Sequence, residues 1–417
     1  MSLDNEAPFP SRGSYADGFA PVAETFARHL REGREVGAGL TIHHRGRCVV
    51  DLWGGYADVE QRRPWERDTR VVVFSVTKGL VAMAFAMLAD RGSFEWNAPV
   101  ARYWPEFAAG DKDRITVREL LNHRSGLVGL RERVTLDDCA NNERYARIVR
   151  AAAAQAPFWS PGSSQGYHAA TFGVYAGELF HRIAGESVGT FLAREVFEPL
   201  NADVSLGTPA PFDPRIATLY PPSTFSRIAK MIVSAFRPAN NEGRVFRSSL
   251  TRNSIPRLAL LNPHLGRGGI AGYNSVAVRR SELAWASATA TAHGISRAYL
   301  PFASGGIHDE RRYLSASALT PIYARQSWSD DDLVLRKPVG WSQGFLKEET
   351  SLFSPNPEAF GHAGIGGSLG FCDPVAETAL GYVMNRLDWR VRSPRAIALC
   401  HALYECEPMQ RQERRGD

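Results

Sequence analysis

The chain runs Val71-Val-Val-Phe-Ser75-Val-Thr-Lys78-Gly-Leu-Val-Ala-Met-Ala-Phe-Ala-Met-Leu88 at the point that decides the fold. The short apolar run Val71–Phe74 predicts a buried strand. The residues after Ser75 stay apolar as far as Leu88, and Gly92 supplies a stop, which together predict a buried helix. A strand therefore enters Ser75 and a helix leaves it.

Ser75 and Lys78 form a Ser-x-x-Lys tetrad at the start of this predicted helix. The tetrad alone is a weak signal, but the spacing puts the lysine one turn on, on the same helix face as the serine. The helix N-terminus and the backbone N–H of Ser75 can stabilise an oxyanion, and a lysine with a lowered pKa can take the serine proton. The other four lysines have no serine three residues before them. The tetrad is therefore the candidate acyl-transfer nucleophile.

The remaining patterns predict strands near both ends of the chain and helices between them. Strands are predicted at Val36–His43, Cys48–Trp53, Gly340–Phe345, Gly361–Phe371 and Ala379–Asn385. Helices are predicted at Phe19–Leu30, Arg144–Ala154, Phe172–Ala184, Phe191–Phe197 and Pro394–Tyr404. One sheet made from both termini and interrupted by a helical insertion follows from this order.

The predicted domains are a discontinuous α/β sheet domain, residues 1–94 and 290–417, and a mainly helical domain, residues 95–289. Residues 201–274 are rich in proline and glycine and are predicted to form an irregular cap segment. One amphipathic piece of this cap places four residues on one helix face: Phe225, Ile228, Ile232 and Phe236. A core helix is the preferred interpretation, and a lid or the wall of an acyl pocket is the alternative.

Composition bounds the class of protein. With 417 residues, 44% hydrophobic and 22% charged, the chain is globular and not disordered, collagen-like or coiled-coil. The net charge is +5, and only five of the 49 basic residues are lysines. The arginines are interleaved with acids, as in Arg131–Glu132–Arg133, so we predict a solvated surface and no nucleic-acid partner.

Cysteine usage and hydropathy indicate the compartment. The five cysteines include no Cys-x-x-Cys pair and are odd in number, which favours reduced, buried thiols. Met1–Phe19 lacks the apolar core of an export signal, and the longest apolar stretch, Leu80–Leu88, is too short to span a bilayer. We therefore expect a cytoplasmic protein with no membrane partner.

Three further motifs follow the tetrad in order: His123-Arg-Ser-Gly-Leu127, Pro161-Gly162 followed by Tyr167, and His362-Ala-Gly364. With these motifs the chain resembles the serine β-lactamase-fold hydrolases, and within them the class C β-lactamase-related branch that includes family VIII carboxylesterases. The resemblance extends from about residue 36 to residue 385. It implies an α/β (α+β) fold like that of β-lactamases and penicillin-binding proteins, with an antiparallel sheet, terminal helices and a helical insertion domain.

The resemblance also implies roles for individual residues. Ser75 matches the family's nucleophile, Lys78 its first-motif lysine and Tyr167 its second-motif tyrosine. A phenolate on Tyr167 would be favoured by a cationic lysine nearby, so the tyrosine can pass a proton to the leaving group. Whether Lys78 or Tyr167 is the principal base stays open. Without its two partners, Tyr167 would be interpreted as a half-buried core phenol.

The third motif supplies the implied substrate-binding residues. His362 stands where β-lactamases often carry lysine, and Gly364 lets the backbone approach a substrate closely. The N–H of Ile365 corresponds to the second oxyanion donor, beside that of Ser75. Trp341 is assigned with His362 and Gly364 to substrate binding. The alternative for this glycine-rich segment is a plain turn.

Departures from the β-lactamase pattern narrow the substrate. The second motif continues Tyr167-His168-Ala169, without the asparagine that β-lactamases usually have two residues after the tyrosine. The third motif lacks the lysine that meets a substrate carboxylate, and histidine is largely neutral near pH 7. Esters or simple amides without an obligatory carboxylate are therefore favoured. His123 and His168 are interpreted as hydrogen-bonding or core histidines.

No metal or cofactor is predicted. His43 and His44 are adjacent on a strand and point to opposite faces, so they cannot easily share an ion. Aromatic residues near the third motif are predicted to wall an acyl pocket or simply to fill the core. These are Trp341, Phe345, Phe353, Phe360 and Phe371.

The leading hypothesis is a serine hydrolase that cleaves carboxylic esters, with a small-molecule acyl ester or amide as its partner. An acyltransferase or amide-forming transacylase would use the same acyl-enzyme on Ser75. Residual β-lactamase or D-amino-acid peptidase activity and a catalytically silent scaffold are the weaker alternatives. The sequence predicts neither the physiological substrate nor the oligomeric state.

Overall fold

The computed structural model describes residues 11–236, 241–347, 352–390 and 392–413. The strands are β1 (Arg12–Tyr15), β2 (Gly37–His44), β3 (Arg47–Asp58), β4 (Arg63–Pro64), β5 (Val71–Val72), β6 (Val204–Ser205), β7 (Thr289–Ala290), β8 (Ile307–His308), β9 (Arg311–Arg312), β10 (Ser327–Ser329), β11 (Val339–Ser342), β12 (Phe345–Lys347), β13 (Phe360–Ala363), β14 (Leu369–Asp373) and β15 (Thr378–Met384).

The helices are α1 (Ala20–Arg31), α2 (Val76–Asp90), α3 (Val117–Leu121), α4 (Leu136–Cys139), α5 (Asn142–Ala154), α6 (Thr171–Ala184), α7 (Val188–Leu192), α8 (Thr224–Ala235), α9 (Asn241–Leu250), α10 (Ile255–Leu260), α11 (Val276–Arg280), α12 (Ala292–Ala303), α13 (Ala316–Tyr323), α14 (Pro394–Tyr404) and α15 (Glu407–Glu413). Short 3₁₀ turns lie between them, and α7 continues into a π-helical turn at Ala193–Phe197.

One large antiparallel sheet joins the two ends of the chain. Its strand order is β1-β3-β2-β15-β14-β13-β12-β11-β10, with β4 paired to β3. The N-terminal strand β2 pairs from Ala38 to His44 with the C-terminal strand β15, so that Leu40 faces Tyr382. The predicted fold class is therefore confirmed, and α14 has the predicted bounds Pro394–Tyr404. The domain bounds stay a prediction.

Helices cover both faces of this sheet. His43 on β2 contacts Ser296 of α12 through an Nδ1–Oγ distance of 2.8 Å. The next residue, His44, points to the other face, where its ring lies 6.1 Å from that of Phe19, just before α1. The predicted opposition of the two histidines is confirmed. Helix α2 lies against the same face as α12, because a Cβ at Gly370 of β14 would touch both helices.

Helix α2 is the central helix of the molecule. All its residues from Val76 to Leu88 are buried, including Lys78, and a helix that is apolar on every side requires such a site. The strand before it, β5, pairs with β7 and not with the large sheet. Phe74, between β5 and α2, has φ +48°. This left-handed residue turns the chain sharply from the strand into the helix.

Two predicted strands are in fact hairpins. The stretch predicted as Gly340–Phe345 contains β11 and the start of β12, joined by Gln343 and Gly344 at φ +49° and +88°. Two positive φ values in a two-residue loop are the geometry that reverses an antiparallel pair tightly. The stretch predicted as Gly361–Phe371 likewise contains β13 and β14, with residues 364–368 forming the turn between them.

The segment predicted to be an irregular cap, residues 201–274, contains three helices, α8, α9 and α10, and is therefore more regular than the sequence predicts. The prediction of a core helix is wrong for Ile232, on α8, and for Phe236, which directly follows α8, because both side chains are exposed. Local periodicity finds the apolar face but not the partner that would cover it. The side chains of Phe225 and Ile228 lie outside the described residues.

Within the described ranges, no helix combines the length and apolar character that crossing a bilayer requires.

Candidate active site

Ser75 caps the N-terminus of α2 with its backbone, at φ −66° and ψ −7°, and its side chain makes no capping hydrogen bond. The hydroxyl is therefore free for other contacts, although serine at this position usually bonds the helix N–H groups. The side chain is buried but not sealed, at 7% exposure. Two groups meet its Oγ atom, one from the same helix and one from a distant loop.

The first group is the amine of Lys78. Its Nζ lies 3.0 Å from Ser75 Oγ and 3.0 Å from the backbone oxygen of Trp285. The rings of Tyr167 and Phe172 lie 5.1 and 6.0 Å from the same nitrogen. No carboxylate is paired with Lys78 among the described residues. Burial therefore lowers the pKa of Lys78 well below its ordinary value, which favours the neutral amine.

The second group is the phenol of Tyr167, whose hydroxyl donates to Ser75 Oγ over 2.9 Å. Burial raises the pKa of Tyr167, against the opposing effect of the hydrogen bond with Ser75. The expectation of a favoured phenolate is therefore wrong, because the lysine beside it is desolvated as well and does not supply the stabilising charge. The structure brings Ser75, Lys78 and Tyr167 together, as the motifs predict.

The backbone at Tyr167 is held by Asp332, a residue that the sequence patterns do not reveal. Asp332 is fully buried, and its Oδ1 accepts N–H groups from Tyr167 at 3.0 Å, Val334 at 2.9 Å and Leu335 at 2.9 Å. Burial raises the pKa of Asp332, although these hydrogen bonds oppose the shift. The carboxylate fixes the segment before α6 to the loop before β11, and so positions the phenol.

Trp341 lies behind Tyr167. Their rings are stacked at 5.6 Å and 8°, and the ring of His123 meets Trp341 edge-on at 4.1 Å. The N–H of His168 donates to His123 Nδ1 over 3.0 Å, and Ser125 Oγ lies 3.3 Å from His168 Nε2. Trp341 is only 1% exposed, so its ring supports the tyrosine and is not open to a substrate. The interpretation of His123 and His168 as buried hydrogen-bonding residues is confirmed.

His362, from β13, completes this group. Its ring lies 6.1 Å from that of Tyr167, and its Nδ1 lies 2.8 Å from the oxygen of Ala363. Burial is the main cause that lowers the pKa of His362 to about 3. The histidine is therefore neutral at physiological pH and cannot replace the cationic lysine of β-lactamases.

Gly364 allows the third-motif loop to approach the strand that leads to Ser75. A Cβ atom at this position would lie 2.1 Å from Ser368 Oγ and 2.4 Å from the oxygen of Val73. Ser368 Oγ in turn donates to the oxygen of Val73 over 2.9 Å. The glycine is thus required by contacts within the protein, a reason that differs from the expected approach to substrate. Ile365 follows on the loop and is 51% exposed.

The backbone N–H groups of Ser75 and Ile365 donate to no other protein atom in the described part of the chain. Ser75 lies at a helix N-terminus, where N–H groups have no helical partner. Ile365 lies in the loop that Ser368 ties to the strand before Ser75. Two unpaired donors beside a nucleophile are what an oxyanion hole needs. The assignment of these two N–H groups to the oxyanion hole stays a prediction, and this geometry supports it.

Arg395 holds the far side of the same loop and is the second residue that the sequence analysis misses. Its Nη2 donates to the oxygens of Gly366 at 2.8 Å and Arg386 at 2.7 Å. Its Nη1 donates to the oxygen of Arg34 at 2.9 Å and forms an ion pair with Glu35. Both charged side chains are buried. Helix α14 thereby fixes the loop that carries Ile365.

The aromatic residues near the third motif fill the core. The rings of Phe345 and Phe360 lie 4.9 Å apart, and all five of the residues expected at a possible acyl pocket are buried. The core interpretation is confirmed for them. Within the described residues, no cluster of three or more histidine, cysteine, aspartate or glutamate side chains is arranged to bind a metal ion.

Comparison with known proteins identifies the family. The family model described as Beta-lactamase matches residues 22–402. The chain belongs to the β-lactamase family. It is 33% identical over 377 residues to "Esterase/beta-lactamase LipL" of Mycobacterium tuberculosis, covering 88% of this chain and 81% of that protein.

Two solved structures share both the fold and substantial sequence. A "family VIII carboxylesterase" has a TM-score of 0.83 and 36% identity, over 95% of this chain and 99% of its own. A "Novel Penicillin-Binding Protein (PBP) Homolog from Caulobacter crescentus" has a TM-score of 0.81 and 32% identity, over 95% and 99%. This member of the β-lactamase family is therefore a serine hydrolase of the carboxylesterase-like kind.

Proposed function

We propose that the protein hydrolyses carboxylic esters through an acyl-enzyme on Ser75, with Lys78 as the base and Tyr167 as the proton shuttle. The observation that carries the proposal is the meeting of two groups on Ser75 Oγ: the Lys78 amine at 3.0 Å and the Tyr167 hydroxyl at 2.9 Å. Both distances lie within reach of direct proton transfer.

The opposite pKa shifts of Lys78 and Tyr167 support these two roles. Because burial lowers the pKa of Lys78 and raises that of Tyr167, the resting site favours a neutral amine and a neutral phenol. A neutral amine can accept the Ser75 proton as Oγ attacks the ester carbonyl carbon. A phenol can donate its proton to the departing alkoxide and take one back from Lys78.

The reaction then balances over two steps. In the first, the bond from Ser75 Oγ to the acyl carbon forms, the ester C–O bond breaks, and the alcohol leaves with one proton. In the second, water attacks the acyl carbon, loses a proton to the base, and releases the acid as Ser75 recovers its hydrogen. The N–H groups of Ser75 and Ile365 would hold the oxyanion of both tetrahedral intermediates.

Electrostatics support substrates that lack a carboxylate. The family's cationic third-motif position is occupied here by His362, which is kept neutral by burial. A neutral ring provides no ion pair for a substrate carboxylate. Simple esters are therefore proposed in preference to β-lactams and to peptides with a free C-terminus.

The test uses p-nitrophenyl esters of short acids and a fluorophosphonate probe. We expect a burst of p-nitrophenol, one covalent adduct by intact mass, and its location on Ser75. Ser75→Ala should abolish burst and adduct, whereas Ser163→Ala, at an exposed serine, should change neither. Activity that survives in Ser75→Ala would refute the proposal.

The same assay separates hydrolysis from acyl transfer. Added alcohols or amines compete with water for the acyl-enzyme, and the products are then quantified. We expect the free acid to dominate. Transfer products that exceed the acid would replace the hydrolase by the transacylase while keeping Ser75 as the nucleophile.

A further inference from the structure

The net positive charge of the protein is concentrated in one segment, Pro221–Arg267. The chain carries +5 overall, but this segment alone has eight basic residues and one acidic residue, so that the rest of the chain carries −2. The eight are Arg227, Lys230, Arg237, Arg244, Arg247, Arg252, Arg257 and Arg267, and the acid is Glu242. The even distribution of arginines among acidic residues that the sequence predicts therefore does not hold for this segment, residues 221–267, which we call the cap from here on.

Most of these cations face solvent without an acidic partner. Lys230, Arg247, Arg252, Arg257 and Arg267 are exposed. None of the five takes part in an ion pair within the described residues. Elsewhere on the surface, arginines commonly pair with acids, as Arg147 does with Glu143. These five cations therefore present positive charge that no acid of the described residues compensates.

Large apolar side chains are exposed between these cations. Val233 is 57% exposed, Leu250 65% and Leu261 52%. Each follows an exposed cation by one helical turn: Lys230 precedes Val233, Arg247 precedes Leu250, and Arg257 precedes Leu261. Residues three or four apart lie on the same side of a helix, so each of the three segments shows a cation and a hydrophobe together. We call these six residues and Arg252 the cap surface.

The three helices that carry the cap surface form one unit. A Cβ at Gly243 of α9 would lie 2.1 Å from the oxygen of Ser234, so α8 and α9 are in close contact. Arg257 at the start of α10 donates to the oxygen of Ser249 in α9 over 3.2 Å. The cation–hydrophobe pairs are therefore held on a common support.

The inner side of this unit reaches the active site. Ala259 of α10 belongs to the same apolar cluster as Tyr167 and Trp341. Arg244 of α9 pairs with Asp331 at 2.7 Å, next to the Asp332 that holds Tyr167. The cap surface is thus the outer side of an element whose inner side supports the catalytic tyrosine.

We propose that the cap surface docks the enzyme on an anionic lipid–water interface. Paired lysine or arginine and aliphatic residues suit such an interface, since the cations meet lipid headgroups while the hydrophobes enter the acyl boundary. Peripheral docking needs no spanning helix. It replaces the expectation of no membrane partner, which rested on the lack of a spanning segment.

Charge and side-chain chemistry favour this partner over two others. A second copy of the chain docked through the same surface would bring like charges face to face, which disfavours association. Single-stranded nucleic acids bind to several aromatic side chains that stack on successive bases. The described residues of this segment expose one large aromatic side chain, Phe236, and four aliphatic ones, Ile232, Val233, Leu250 and Leu261. The proposal does not rest on the catalytic assignment, because it concerns residues outside the site.

The test is sedimentation of the full chain with vesicles of phosphatidylcholine, with and without phosphatidylglycerol. We expect binding to the anionic vesicles, weakened by salt, and little binding to the neutral ones. The variant Arg247→Gln/Arg252→Gln/Arg257→Gln should bind about a hundredfold more weakly, at about fivefold for each cation. Leu250→Ser/Leu261→Ser should lose about tenfold for each leucine.

Matched controls separate docking from misfolding and from catalysis. Arg31→Gln/Arg114→Gln/Arg150→Gln removes three exposed arginines elsewhere, and Ile307→Ser removes an exposed hydrophobe. Both should bind like the wild type. All cap variants should keep wild-type turnover of a soluble p-nitrophenyl ester, and Ser75→Ala should keep full vesicle binding even if the proposed catalysis is wrong.

Three results would overturn the proposal. One is equal binding to neutral and anionic vesicles, another is no vesicle binding by the wild type. The third is a pair of results for the leucine variant: it binds soluble heparin as tightly as the wild type in the absence of lipid, and its binding to vesicles is also unchanged. That last result would assign the surface to a polyanion and leave the exposed leucines without a role.

Discussion

Acidification from about pH 7 to about pH 5.5 is expected to destabilise the fold through histidines that are buried in the neutral form. Burial lowers the pKa of His43, His168 and His362 to about 3, and each is at most 3% exposed. In the unfolded chain the same side chains ionise near their ordinary pKa of 6.5. At these three histidines only the unfolded state therefore takes up protons in this range, so the stability that they contribute is full above about pH 6.5 and falls below it.

The size of the effect follows from proton linkage. Between pH 7 and 5.5 each of these histidines shifts the free energy of unfolding by about 1.3 kcal/mol, about 4 kcal/mol for the three. Glu35 acts in the opposite direction, because burial raises its pKa from 4.5 to about 7 and the folded state takes up its proton first. Protonation of Glu35 in the folded state therefore raises the free energy of unfolding by about 1.6 kcal/mol over the same pH range. The net loss from these four groups is about 2 kcal/mol. His29, with a pKa lowered to about 4, and His123, whose pKa burial lowers well below its ordinary value, add to it.

The assay is urea unfolding followed by tryptophan fluorescence at the two pH values. His43→Gln should reduce the histidine contribution by about one third, and Glu35→Gln should enlarge the net loss by about 1.6 kcal/mol. His401→Gln, at an exposed position, is the matched control and should change nothing. An unfolding free energy that is equal at both pH values in the wild type, or a pH dependence unchanged by His43→Gln, would refute the argument.

Three further outcomes test the site itself. Tyr167→Phe should slow acylation in a stopped-flow burst by about 10²- to 10⁴-fold with little change in KM; a wild-type burst would remove the phenol from the mechanism. Gly364→Ala places a Cβ 2.1 Å from Ser368 Oγ and 2.4 Å from the oxygen of Val73. The substitution should therefore lower the free energy of unfolding by about 1–3 kcal/mol and weaken the binding of a boronic acid inhibitor. An undiminished inhibitor affinity would contradict a role of this loop in the oxyanion hole. Arg395→Lys should cost about 3 kcal/mol of stability and lower kcat with little change in KM, whereas a raised KM with an unchanged kcat would indicate substrate binding instead of loop positioning.

Local sequence was sufficient where the chemistry is local. Ser75 and Lys78 are three residues apart on one helix, so their contact follows from helical geometry. The order of Ser75, Tyr167 and His362 along the chain was enough to identify the fold class and the family. Strand and helix periodicity located α14 to the residue, but it could not distinguish β11 and β12 from one long strand.

Residues that act over long sequence distances were missed for a physical reason. Asp332 meets the N–H of Tyr167 across 165 positions, and Arg395 meets the oxygen of Gly366 across 29. Each is an ordinary charged residue outside any motif. Only the fold makes it a partner, because the hydrogen bond depends on which segments become neighbours.

The sequence by itself determined which reactive groups this member of the β-lactamase family carries and in what order. The tertiary structure decided the direction in which their pKa values are shifted, since those of Lys78, Tyr167 and His362 are shifted mainly by burial. It also decided which side of the cap faces solvent. Both depend on the exclusion of water, and a chain acquires that property only when distant segments close over one another.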